Sequence, residues 1–158
     1  MKKTVISISM LIILTYCCLT AALAQDSCGL LTKADIQAVI GQTVGDGKLN
    51  MKANPAVGRP CEYMVGTGGV FSILLTTVRP GETPDKVVAE LKKRKIAVSE
   101  ATGIGDRSFF SSPGYGMVQL NTYKGAKYLI ITMLIPGATE AAQKTAAEKL
   151  MQKALTKI

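Results

Sequence analysis

A pair of cysteines constrains this chain more than any other feature. Four occur in the sequence, but Cys17 and Cys18 lie in an apolar run near its start, which leaves Cys28 and Cys61 for the remainder. That run reads as an export leader. Lys2 and Lys3 precede apolar residues from Val5 to Leu19, and Ala22-Leu23-Ala24 offers the small residues a signal peptidase accepts. Cleavage after Ala24 makes 1–24 a signal peptide and 25–158 the mature chain, a length suited to a single domain with its own core. Two rival readings attach to the same run. Val5 to Ala24 just reaches the roughly 20 residues of a membrane-spanning helix, but Ser7, Ser9, Thr15 and Thr20 dilute it. Lipid attachment, as in a lipoprotein, wants a small residue before its cysteine, and Tyr16 is large.

Export places the mature chain in the periplasm or outside the cell, where thiols oxidise, so Cys28 and Cys61 are expected to form a disulfide. They stand 33 positions apart. Closing a loop of that length contributes about 3.5 to 4 kcal/mol on the chain-entropy model. Two thiols in a chain with no histidine make a poor zinc site. The mature chain also lacks the Cys-x-x-Cys spacing of redox catalysts. No metal or other cofactor is expected.

Charge narrows the partners. The whole chain carries a formal +8, and the two leader lysines account for two of those charges, leaving +6 after cleavage. That excess favours an anionic small molecule, an acidic polymer or an envelope protein. Nucleic acid is excluded, because no basic run is interleaved with stacking aromatics. Lys92-Lys93-Arg94-Lys95 reads as cations gathered at the negative end of a helix.

Punctuation and periodicity give an α+β chain of about six antiparallel strands flanked by helices. Thr32 and Asp35 form a capping-box signature with Leu31 as staple, Ile36, Val39 and Ile40 line one face, and Gly41 ends this first helix. A weak strand is expected over Lys48 to Ala53, then strands at Cys61 to Val65 and Val70 to Arg79. Gly66-Thr67-Gly68-Gly69 reads as their hairpin, since a phosphate-binding loop needs a Lys-Ser/Thr ending and a following helix. Ile73-Leu74-Leu75 is apolar on both faces, which marks a central strand. Thr83-Pro84 starts a second helix. Strands over Ser108 to Ser111, Tyr115 to Tyr123 and Tyr128 to Ile135 precede a final helix.

Two short patterns recur. Pro80-Gly81-Glu82-Thr83 and Pro136-Gly137-Ala138-Thr139 share P-G-x-T, 56 positions apart, each between a doubly apolar strand and a helix. Gly45-Asp46 and Gly105-Asp106 lie 60 apart, each where helical territory gives way to strands. The spacings fit a duplicated α-β-β-β unit closed by a C-terminal helix.

"GIGDRSFFSS", residues 103 to 112, is the one stretch that resembles an active-site loop. Read as structure, Gly105 supplies a positive φ and Asp106 bonds its own turn. Read as a site, Arg107 is an anion clamp beside Asp106, with Tyr115 or Phe109 walling a pocket. Serine nucleophiles lack a histidine base here. A small extracytoplasmic hydrolase or lyase would have to draw carboxylates from Asp106, Glu62 and Glu100. The leading reading is a non-catalytic exported module that binds a ligand or partner protein. A virulence or inhibitor protein would instead carry an exposed apolar patch.

Taken together, "CGLLTKADIQAVIG", "CEY" before a long strand, "GIGDRSFF" and "KGAKYLIITM" resemble uncharacterised secreted or lipoprotein domains of bacteria. Some of these are related to extracellular sensor regions of membrane-bound Ser/Thr kinases. The resemblance implies a bond between Cys28 and Cys61 and a PsbP-like antiparallel sheet flanked by helices. It supplies no catalytic residues.

Overall fold

The computed structural model describes residues 26–158; the leader, its cysteines and the cleavage position lie outside the described residues. In chain order the elements are α1 (Lys33–Ile40), β1 (Lys48–Leu49), β2 (Cys61–Val65), β3 (Gly69–Thr77), α2 (Pro84–Lys93), β4 (Ala97–Ala101), β5 (Arg107–Gly114), β6 (Met117–Lys124), β7 (Lys127–Leu134) and α3 (Glu140–Leu155). A 3₁₀ turn at Ser27–Gly29 precedes α1. The fold is α+β. Seven strands, every neighbouring pair antiparallel, lie in the order β1-β2-β3-β7-β6-β5-β4.

The two doubly apolar strands, β3 and β7, meet at the centre. Eight pairs run from Val70 opposite Leu134 to Thr77 opposite Lys127. One face of the sheet carries the row Cys61, Ile73, Ile131, Leu120, Phe110, each directly opposite the next across five strands and each almost wholly buried. Ile36 of α1 and Ala147, Leu150, Met151 and Ala154 of α3 complete this core. The opposite face carries Leu74, Ile130, Asn121 and Phe109 as a parallel row. Among the described helices, α2 alone packs there, near β4 and β5, and none of its residues is buried.

Helix ends follow the local signals. The Thr32 hydroxyl accepts from Asp35 N at 3.2 Å and the Asp35 carboxylate accepts from Thr32 N at 2.9 Å, a reciprocal cap. Asp35 also takes the Lys153 ammonium at 2.6 Å, which ties α1 to α3. Thr83 and Thr139 cap α2 and α3 in the same manner.

Where strands differ from expectation, side chains explain it. The first strand stops at Leu49 because Asn50 Oδ1 accepts from Lys52 N and Ala53 N, closing an Asx turn. Tyr115 sits at the β5–β6 tip with φ 54, so β6 starts later than read. β5 continues through Pro113 because the ladder slips between Ser111 and Gly114, where no proline N–H is needed. The seventh strand, β4, has the sequence AVSEA and buries only Ala101, so it lacks the apolar alternation that marks a strand.

The repeat extends to strands and turns only. Leu74 and Ile130, themselves 56 positions apart, face each other across the central ladder, and three strands lie to one side of that ladder's midline in the same order as on the other, with β4 added. The helices part company: α3 covers the core face, whereas α2 crosses to the other.

Cys28 and Cys61 are bonded, with Cα atoms 4.9 Å apart. Replacing both by alanine should lower unfolding free energy by about 2 to 4 kcal/mol in urea titration. Asp35 gives a second test. The Lys153 hydrogen bond, then that from Thr32 N, hold its carboxyl at about 2 against an ordinary 3.8. A depressed carboxyl stabilises fully above its unfolded value and loses that contribution as pH falls toward its folded one. Asp35→Asn should therefore flatten the stability loss between about pH 4 and pH 2, read as urea midpoint against pH.

Candidate functional site

The structure disperses the residues of the glycine-rich bend. Asp106 N donates to Tyr123 O at 2.8 Å, and the Asp106 carboxylate accepts from Gly125 N at 2.6 Å, with Lys124 at 3.5 Å. The Gly125 contact chiefly, with Lys124 adding to it, lowers the Asp106 carboxyl. Gly105 has φ 60, and an added Cβ would lie 2.5 Å from Tyr123 O, so the close approach excludes any side chain. Arg107 donates to Glu100 through both terminal guanidinium nitrogens and reaches Asp85 at 3.8 Å. Phe109 is fully buried on the α2 face, while Tyr115 is 98% exposed at a hairpin tip. These four residues line no common cavity.

The carboxylates of the hydrolase reading are likewise apart. Glu100 lies on β4, at one end of the sheet, and Glu62 on β2, near the other, where it accepts from Asn50 Nδ2 at 2.7 Å. Among the described residues, no three Cys, Asp or Glu side chains gather as a cation site requires.

A different place draws separate segments together. On the α2 face, a cavity of about 180 Å³ opens between the loop before β2, β3, the β3–α2 turn, α2 and β7. Leu74 and Ile130 form its floor, and Val57 and Val87 stand on either side. Gly58, with φ 106, lets the loop lie against Leu74, where a Cβ would come within 2.8 Å of Leu74 Cδ1. Tyr128 closes one wall, and Arg79 and Glu82 stand at the mouth. Larger hollows are less constructed. That beside α1 is bounded by Thr32 to Gly41 alone. In the hollow beside β2, Asp46 and Glu62 are already satisfied by Lys33 and Asn50.

A directional chain of hydrogen bonds runs from the cavity wall across this face. Tyr128 OH donates to Asn121 Oδ1 at 2.7 Å, Asn121 Nδ2 to Ser111 Oγ at 3.1 Å, Ser111 Oγ to Gln119 Oε1 at 3.3 Å, and Gln119 Nε2 to Thr132 Oγ1 at 3.2 Å. Tyr123 stacks on Tyr128 with centroids 4.4 Å apart and donates to Glu82 Oε1 at 3.2 Å. Burial, reinforced by the Glu82 charge, pushes the Tyr128 hydroxyl up to about 12. Burial, with Tyr128 and Glu82 beside it, raises that of Tyr123 as well. Both rings are therefore neutral donors at any physiological pH.

Arg79, Glu82, Val87 and Tyr128 escape a reading by motif. The visible signal was in the repeated turn: Arg79 and Glu82 flank Pro80-Gly81, whereas Ile135 and Ala138 flank Pro136-Gly137.

Asn121 is 4% exposed and links β5 to β7 through Ser111 and Tyr128. Asn121→Ala should cost about 2 to 3 kcal/mol, since it strands the Tyr128 hydroxyl and removes a donor to Ser111. An unchanged urea midpoint would refute the chain's structural weight. In comparison with known proteins, the chain matches no family model, no curated protein and no solved structure.

Proposed function

We propose that this chain is an exported, non-catalytic binding module that takes a small ligand into the cavity on the α2 face of its sheet. The observation that carries this reading is the convergence of five chain segments on a space with an apolar floor and charged groups confined to its mouth. Ligand sites have that character: apolar lining, a few placed polar groups, and a position between packed elements. The disulfide and the lack of a membrane-length apolar helix among the described residues are compatible with work outside the cytoplasm. On this reading the leader directs export to the periplasm or beyond, and the chain keeps company with the secreted and sensor-linked domains it resembles. Asp106 and Arg107 contribute to architecture, and the ligand meets Tyr128, Leu74 and Ile130 instead.

A thermal-shift screen of the purified protein against small metabolites should find compounds that raise the melting temperature by roughly 5 °C or more at saturation. Val87→Phe, which places a ring in the cavity, should abolish the response while leaving the unliganded protein folded. A library without a single stabilising compound, or turnover of one of its members, would refute the reading.

A further inference from the structure

Arg79 and Glu82 are the first and last residues of one tight turn. Glu82 N donates to Arg79 O at 3.0 Å, with Pro80 at the second position and Gly81, φ 76, at the third. Such a turn holds its end residues within about 7 Å of each other, yet the guanidinium and the carboxylate do not pair. Glu82 is held by Tyr123 through Oε1, which leaves Oε2 without a partner among the described residues. Arg79 is exposed and makes no ion pair or side-chain hydrogen bond among the described residues. Two opposite charges are thus kept apart at the mouth of an apolar cavity.

The second turn of the repeat acts as an internal control. Ala138 N donates to Ile135 O at 3.1 Å and Gly137 has φ 80, the same geometry. There the end residues are apolar: Ile135 is 3% exposed and Ala138 packs on the core. Turn formation therefore does not require charge at these positions. The turn itself does not need the Arg79 charge, and Glu82 commits only one carboxylate oxygen, to Tyr123.

We propose that the cavity binds a free α-amino acid with a branched apolar side chain. This rests on the binding-module reading above and specifies its ligand. The ligand carboxylate lies against the Arg79 guanidinium, whose planar fork suits two parallel hydrogen bonds. The ligand ammonium lies against Glu82 Oε2, and its side chain enters over Leu74 and Ile130. Size agrees: a cavity of about 150 Å³ already admits a benzene ring, so about 180 Å³ takes a leucine side chain with its α-carbon. The chain's positive charge favours anions in general, but a mouth with one charge of each sign selects a neutral dipole. A simple carboxylate leaves Glu82 facing it uncompensated, and a simple amine does the same to Arg79.

Calorimetric titration of the purified protein with L-leucine, N-acetyl-L-leucine and L-leucinamide tests this. Leucine should bind, and each derivative, having lost one charge, should bind at least about tenfold more weakly. Arg79→Gln should weaken leucine by about tenfold or more and leave leucinamide unchanged. Glu82→Gln, which keeps an acceptor for Tyr123, should do the converse, sparing N-acetyl-leucine. Arg79 makes no side-chain contact that folding needs, so its variant should keep the parent melting temperature. Leucine giving no heat, either derivative matching leucine, or Arg79→Gln leaving leucine affinity unchanged would overturn the proposal. If leucine fails while other compounds stabilise the protein, the binding module survives without this ligand; if nothing stabilises it, both fall.

Discussion

The ladder between β3 and β7 governs the rest of the molecule. Its eight pairs join the first half of the chain to the second, and both strands are apolar on both faces, so neither face can be left to water without cost. On one side, Ile73 and Ile131 are sealed by α1 and α3. The disulfide attaches the segment before α1 to Cys61, directly opposite Ile73, and so secures that seal from its edge. On the other side, Leu74 and Ile130 also need cover. There α2 and the loop around Val57 supply it incompletely, and the cavity is what remains.

Much of this was legible because local chemistry and global packing agree. Thr32 with Asp35, Thr83 with Pro84, and the doubly apolar runs at Ile73 and Leu129 each announce an element, and the structure places each one there. What escaped reading lacks a local signature. β4 is a sheet edge whose place is set by pairing with β5, and a pentapeptide with one buried residue carries no periodicity to detect. The side of the sheet that α2 takes is also invisible locally, since turns of the same backbone geometry send α2 and α3 to opposite faces. The duplication suggested by P-G-x-T therefore extends through strands and turns and ends at the helices.

The site shows the same limit from the other direction. Glycines, an acidic residue, an arginine and two aromatics in ten residues look like chemistry, yet Asp106 fastens the β6–β7 turn and Arg107 links β5 to Glu100 and Asp85. Dense polar sequence next to glycine is what a tight crossing of strands demands, because buried backbone groups must find partners where side chains cannot fit. Arg79 and Glu82, by contrast, look like loop polarity. Only the path of the turn, and the position of Leu74 and Ile130 beneath it, sets them at the entrance of a cavity.

The distribution of stability supports that assignment. α3 buries five residues, four of them in the core, whereas α2 buries none. Beside the half-buried Val87, Val88 and Leu91, α2 is held by the Arg107–Asp85 contact, with Asp85 88% exposed in its side chain, and by the Tyr123–Glu82 hydrogen bond just before its first turn. Exposed ion pairs of this kind contribute at most about 1 kcal/mol. The helix that walls the cavity is thus one without a buried residue, while the floor belongs to the central paired strands. Binding sites draw on the low-stability end of a structure because a ligand must enter and leave. Here a rigid floor and a lightly held wall follow from one cause: a sheet with apolar residues on both faces and helices enough to cover only one of them well.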